Sequence, residues 1–403
     1  MISQYETIAP KGDLHLLKRL GEKLAGKTFL HVNSTRVGGG VAEILQRMVP
    51  LLKGLGIEVR WEVIEGDEPF FTITKKIHNT LQGNPDHISE EMWAYHFEVN
   101  RRNAEKMDLE ADAVFIHDPQ PAPLVQFRKN GKWIWRCHID ASNPIKEVDE
   151  ALRKYWGKFD AAVYSVAKFA RSMAISEYII PPSIDPLSEK NRALTEEEIT
   201  EVSERLKIPR DKPIILQVSR FDYFKDPLGV IRAYQTVKKY NDCLLVLAGS
   251  PASDDPESEE VLRAVNEFSG DDPDIHILML PAFSDKDINA LQRMAQVVLQ
   301  KSTKEGFGLT VSEAMWKGKP VIGGAVGGIP LQIVHGVTGF LVHSVEGAAF
   351  RIRQLLNSPS MAKIMGEKGR EFVRANFLIT RQIRDYLTLW YFLENPGRSI
   401  IEL

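Results

Sequence analysis

Short apolar runs alternate along the chain with stretches in which apolar positions recur every three or four residues. The runs predict strands at 27–32, 58–63, 113–116, 133–137 and 161–164, and again at 214–218, 244–248, 275–279, 297–299 and 320–322. Between them, residues 41–52 carry a helical stripe (Val41, Ile44, Leu45, Met48, Val49, Leu52) in which Pro50 is expected to kink the helix or end it early. Further helices are expected at 90–107, 199–206, 227–240 and 258–268. Strands alternating with helices specify parallel sheets, hence an α/β fold of doubly wound, Rossmann-like type.

The rhythm breaks once. Ile180-Pro181-Pro182-Ser183-Ile184-Asp185-Pro186 cannot continue a helix and reads as a stiff linker. It predicts an N-terminal Rossmann-like domain at 1–182 and a C-terminal Rossmann-like domain at 187–375. A helical segment at 376–403 is expected to pack back at the domain junction. Two α/β domains on a stiff hinge imply a cleft, with ligands at the carboxyl ends of the strands. The last helix, 381–393, carries Tyr386, Trp390, Tyr391 and Phe392, which need burial. Burial within the chain is preferred over a homodimer contact.

The 403 residues are 43% hydrophobic and 26% charged, enough apolar content to fill two cores. A net charge of −3 argues against a dedicated nucleic-acid binder. No apolar run approaches the roughly 20 residues of a membrane helix, and no secretory leader is apparent. Cys137 and Cys243 sit apart in apolar runs, so no disulfide framework or cysteine metal site is expected, and the cytoplasm is the default compartment.

Three segments that follow predicted strands carry candidate chemistry. Val37-Gly38-Gly39-Gly40 precedes a helix, whose N–H groups suit an anion, though a plain tight turn is the competing reading. Ser219-Arg220-Phe221-Asp222-Tyr223-Phe224-Lys225-Asp226-Pro227 sets a planar donor fork and a point charge five residues apart, able to reach one diphosphate. Glu305-Gly306-Phe307-Gly308-Leu309-Thr310-Val311-Ser312-Glu313 joins a glycine loop to a helix N-terminus between two carboxylates, one suited to a sugar ring and the other to a ribose diol. A further run, 322–330, is glycine-rich; cleft lining and close backbone packing are equally good readings of it. His138 ends a strand. Asp118 and Gln120 lie at another strand end and are candidates for binding sugar hydroxyls. His117 and Asp118 are adjacent, but no further ligands at metal spacing accompany them.

Together the segments 219–227, 305–313 and 325–329 resemble the donor domain of retaining GT-B glycosyltransferases of family 4. The resemblance implies that Arg220 and Lys225 bind the donor diphosphate, that Glu313 binds the ribose and that Glu305 lies at the transferred sugar. Gly39 and Gly40, with Gly306, Phe307, Gly308, Leu309 and Thr310, would complete the donor site. Within that family, His117-Asp118-Pro119-Gln120-Pro121, Trp135-Arg136-Cys137-His138-Ile139-Asp140, residues 75–84 and residues 181–188 are similar to the trehalose synthase branch. The branch implies transfer of glucose from a nucleoside diphosphate glucose (UDP- or ADP-glucose) to free glucose. His138, Asp118, Gln120 and Asp140 would then face the acceptor, and Glu305, His138, Arg220 and Lys225 would carry catalysis. No cofactor is expected for the fold, although Mg²⁺ is compatible with the diphosphate. Rival readings are a disaccharide phosphorylase, a family-4 glucosyltransferase with another acceptor, a glycoside hydrolase, an epimerase and a nucleotide-sugar sensor.

Overall fold

A computed structural model describes residues 2–37, 39–249, 256–281 and 283–397. It comprises two compact units, Met1–Ser183 with Ile379–Leu403, and Ile184–Leu378.

The first unit contains α1 (Lys11–Leu24), β1 (Thr28–Asn33), α2 (Gly39–Lys53), β2 (Glu58–Val63), α3 (Glu68–Leu81), α4 (Glu90–Lys106), β3 (Ala113–His117), β4 (Lys132–Arg136), α5 (Lys146–Trp156), β5 (Ala161–Tyr164) and β6 (Ser176–Ile179). Its six strands are all parallel, in the order β2-β1-β3-β4-β5-β6. Parallel registers put aligned residues on one face, and side chains alternate along each strand. Leu30, Val32, Val114, Ile116, Trp133 and Trp135 join one apolar core. The register aligns His31 with Phe115 and His117 with Arg136 on the opposite face.

The second unit contains α6 (Glu196–Leu206), β7 (Ile214–Val218), α7 (Pro227–Lys238), β8 (Leu244–Gly249), α8 (Pro256–Ser269), β9 (Ile275–Met279), α9 (Asp285–Met294), β10 (Val297–Gln300), α10 (Leu309–Trp316), β11 (Val321–Gly324), α11 (Ile329–Gln332), β12 (Gly339–Val342), α12 (Val345–Leu356) and α13 (Pro359–Asn376). The sheet order is β12-β11-β10-β7-β8-β9, again all parallel. Strand order reverses direction between β7 and β10 here, and between β1 and β3 in the first unit. Such switch points leave a crevice at the carboxyl ends of the two strands.

The last helix, α14 (Ile379–Glu394), belongs to the first unit, where it packs along α1. Its Trp390 ring lies 5.1 Å from Phe29, and Tyr386 lies 4.7 Å from Phe115. Arg381 donates to the carbonyls of Pro181 (2.7 Å) and Pro182 (3.1 Å), so the proline run is held by hydrogen bonds.

Pro50 neither ends α2 nor shortens it, because the helix runs on to Lys53. The N–H that proline lacks would have bonded the carbonyl of Gln46. Both residues are exposed, so water can serve that carbonyl, while buried Leu51 and Leu52 keep the last turn docked. Two strands escape the sequence pattern, β6 and β12. Each has four residues and lies at a sheet edge, where one neighbour suffices and the apolar run is shortest.

Candidate active site

The second unit's switch point gathers charge. Lys225 lies seven residues beyond the end of β7, and Glu305 lies five beyond the end of β10. Their side chains meet at 2.6 Å (Nζ to Oε2), both largely buried. Gln300 and Ser302 also donate to Glu305 Oε2, at 3.1 and 3.0 Å. Burial alone would raise the pKa of Glu305; the Lys225 charge and these hydrogen bonds outweigh it and hold the carboxylate below its ordinary range. Lys225 is itself fixed through its backbone. Its N–H donates to Asp222 at 3.1 Å, and its carbonyl accepts from Gln217 at 2.8 Å. Asp226 then turns into the left-handed region (φ 49°), caps α7 through Gly229 N–H at 3.1 Å, and pairs with Lys301.

The loop carrying Glu305 is held by a residue the sequence did not single out. Gln332 is fully buried. Its Oε1 accepts from Ser312 N–H (3.1 Å) and Oγ (2.6 Å), while its Nε2 donates to the Phe307 carbonyl at 2.5 Å. One amide thus ties the glycine loop to the first turns of α10. Phe307 is buried edge-on against Phe377 at 5.6 Å. Gly308 adopts φ +81°, and no side chain caps α10. The positive end of that helix is therefore left for an anion. The run 322–330 resolves as close backbone packing. A Cβ at Gly328 would stand 2.7 Å from both the Gly306 carbonyl oxygen and Phe307 Cα, and one at Gly327 would collide with the Glu305 carbonyl oxygen.

Arg220 follows β7 by two residues, and Thr310 of α10 donates to the Val218 carbonyl at 3.3 Å. The Arg220 side chain is 60% exposed and stands 3.3 Å from Asp222 Oδ2, outside hydrogen-bond geometry. The guanidinium therefore faces solvent, and it is Lys225 that meets Glu305. Glu313 is buried, with a 3.5 Å hydrogen bond from Gln292.

In the first unit, Gly39 (φ +77°) opens α2 after β1, with no neighbour within 4 Å of where a Cβ would stand, so its backbone angle is what demands glycine. Gly40 is exposed in the first turn, and Gly38 lies outside the described residues. Asp118 follows β3 with φ +65°. Its Oδ1 accepts from His138 N–H at 2.7 Å, and burial pushes its pKa up to about 6 against that bond and the charge of Arg136. The Gln120 backbone carbonyl is held by His96 (2.9 Å) and Asn100 (3.0 Å), and its buried Oε1 has no protein partner. Asp140 accepts from Ser142 N–H at 3.0 Å, closing a local turn. Arg136, fully buried, reaches Ser165 Oγ at 3.2 Å. Three rings form a chain: His31 Nδ1 meets His117 Nε2 at 3.0 Å, and His117 Nδ1 meets His138 Nε2 at 2.9 Å. This chain was not legible in sequence, because its members lie 86 and 21 residues apart. Among the described residues, no three His, Cys, Asp or Glu side chains gather to hold a metal ion.

Burial drives the pKa of each of these histidines below the ordinary value of 6.5, to about 3 for His31 and well below it for His117 and His138. Burial likewise takes His96 to about 4. The folded rings stay neutral where the unfolded chain takes up protons, so acid favours unfolding. Stability should fall as pH drops from about 6.5 toward these lowered values, by about 1.4 kcal/mol per pH unit for each ring. Thermal midpoints measured at pH 7, 6 and 5 test this, and a flat profile contradicts it.

The family described as "Glycosyl transferases group 1" matches residues 198–372, and "Trehalose synthase, N-terminal domain" matches residues 31–171. A solved α,α-trehalose-phosphate synthase (UDP-forming) from Burkholderia xenovorans, in complex with glucose-6-phosphate, is similar in fold with a TM-score of 0.74. It covers 92% of this chain and 100% of its own at 14% identity. The chain is a hexosyltransferase of the GT-B fold. It is 46% identical over 402 residues to the trehalose synthase of Pyrococcus horikoshii (96% of this chain, 95% of that one), and 43% identical over 400 residues to that of Rubrobacter xylanophilus (96% of each). The chain belongs to the trehalose synthase family. Among the described residues, no helix is long and apolar enough to cross a membrane.

Proposed function

We propose that the protein moves glucose from a nucleoside diphosphate glucose to the anomeric hydroxyl of free glucose, with retention, forming trehalose. The observation that carries this reading is the Lys225–Glu305 pair at 2.6 Å beside the uncapped N-terminus of α10. As the bond from C1 to the diphosphate oxygen breaks, negative charge builds on the leaving group. Lys225 has three N–H donors, so it can hold Glu305 and a phosphate oxygen together. The exposed Arg220 closes onto the same diphosphate, and the α10 dipole adds to both. Glu305, kept ionised, faces the positive charge developing at C1. The acceptor hydroxyl attacks C1 from the leaving-group side, and its proton passes to the departing phosphate oxygen. Glu313 takes the ribose. Asp118 and His138 of the first unit bind the acceptor.

Incubation with UDP- or ADP-glucose plus free glucose, with the product linkage read by NMR, tests the reading. An α,α-1,1 disaccharide is expected. Turnover of trehalose with inorganic phosphate, and none with the nucleotide sugar, would replace it with a phosphorylase. A narrower check is Asp118→Asn. Asparagine tolerates the left-handed backbone at this position, so the change removes charge and leaves the turn. The KM for glucose should rise about 10-fold, with the donor KM unchanged. An unaltered glucose KM would remove Asp118 from the acceptor site.

A further inference from the structure

The three linked histidines define a direction. Each ring is neutral, and a neutral imidazole carries one proton on one of its two nitrogens. Both links, His31 Nδ1 to His117 Nε2 and His117 Nδ1 to His138 Nε2, need one proton each. Only two arrangements satisfy both. Either all three rings carry the proton on Nδ1, or all three carry it on Nε2. Any mixture sets two lone pairs or two N–H groups face to face.

The deep end decides between them. His31 is fully buried, its ring 4.4 Å from Phe29 and 5.6 Å from Phe115, and its Nε2 has no hydrogen-bond partner. The all-Nε2 arrangement would strand an N–H there. The all-Nδ1 arrangement leaves only an unshared lone pair, and buried orphan N–H groups are the rarer of the two defects. Protons therefore sit on Nδ1 throughout, and His138 Nε2 is committed to accepting from His117. The free end is His138 Nδ1–H on a half-buried ring at the carboxyl end of β4. Buried Arg136, aligned with His117 across the strands, adds a positive charge that opposes protonation of His117 and His138. The rings run in line across the neighbouring strands β1, β3 and β4, so their nitrogens do not converge as a metal site would.

We propose that His117 and His31 are positioning residues that lock His138 as an Nδ1–H donor toward an oxygen of the acceptor sugar. The proposal rests on the acceptor reading of His138. It makes His138 a hydrogen-bond donor in the ground state, with no lone pair left to take a proton from the acceptor. Proton removal from the acceptor hydroxyl then falls to the leaving phosphate.

The test has two arms. Nitrogen-15 NMR of the histidine-labelled protein reads the tautomers without any substrate, with assignment by single substitutions. All three rings should show a protonated Nδ1 and a bare Nε2. A protonated Nε2 on His138 overturns the proposal. In the second arm, His117→Phe keeps a ring in place but removes the donor to His138. The kcat/KM for the acceptor should fall about 10-fold while the donor KM is unchanged. His117→Asn, whose amide nitrogen occupies the place of Nδ1, should restore most of it. Equal losses toward donor and acceptor, or no rescue by Asn in a protein of wild-type thermal midpoint, would reduce the chain to core packing. If the wild-type protein transfers glucose to no sugar at all, the functional reading fails, while the NMR arm still reports the order of the protons.

Discussion

Lys225→Ala should lower kcat at saturating donor by about 10²–10³-fold, the scale expected when one preorganised charged donor is lost from a reaction centre. The effect has two parts. The leaving diphosphate loses a cation at the switch point of the sheet. Glu305 loses the charge that keeps it ionised: burial, which raises its pKa, is then opposed only by Gln300 and Ser302. The carboxylate should hold its proton to higher pH, so the acid limb of the activity profile should move upward in the variant. Turnover and pH profile, measured with the thermal midpoint as a control for folding, separate a catalytic loss from an unfolded protein. Unchanged turnover at saturating donor would take Lys225 out of the mechanism.

Gly327→Ala should be nearly as damaging, for a different reason. The residue has φ +53°, which costs a non-glycine residue about 1–2 kcal/mol. Its new Cβ would also collide with the carbonyl oxygen of Glu305, a backbone atom that no rotamer change can move aside. The loop from Glu305 to Gly308 must shift, and with it the carboxylate and the start of α10. Activity should fall at least about 10²-fold, because misplacement of about 1 Å at a reacting centre costs that much. Stability should fall by about 1–3 kcal/mol. Gly318→Ala is the control. It also has positive φ (+72°) but nothing within 4 Å of where the Cβ would go, so it should lose stability and keep its turnover. Equal activity in the two variants would show that packing of the two glycine runs does not position the site.

What could be read from the sequence follows from the range of the forces involved. Both sheets were legible because central parallel strands are buried on both faces and read as unbroken apolar runs, as at Ile214–Val218. Edge strands such as β6, with exposed or half-buried side chains throughout, carry no such signal. Lys225, Glu305 and the glycine loop were legible because each follows a predicted strand. Their 2.6 Å pairing, and the outward side chain of Arg220, were not. Nor was the work of Gln332, whose one amide bonds elements 20 and 25 residues away. Hydrogen bonds between distant strand ends, above all the histidine chain, depend on a register that no local pattern encodes.

The place of α14 has a consequence for synthesis. Phe29 and Phe115 precede the whole second unit in the sequence, yet the rings that cover them, Trp390 and Tyr386, are translated only after it. The unit encoded between the two parts of the first can finish folding while the first still waits for its cover. For roughly the time needed to translate the intervening residues, an aromatic face stays open. A chaperone that shields nascent apolar surface would find its opportunity there, and a premature stop before Ile379 would ruin the amino-terminal half of the protein.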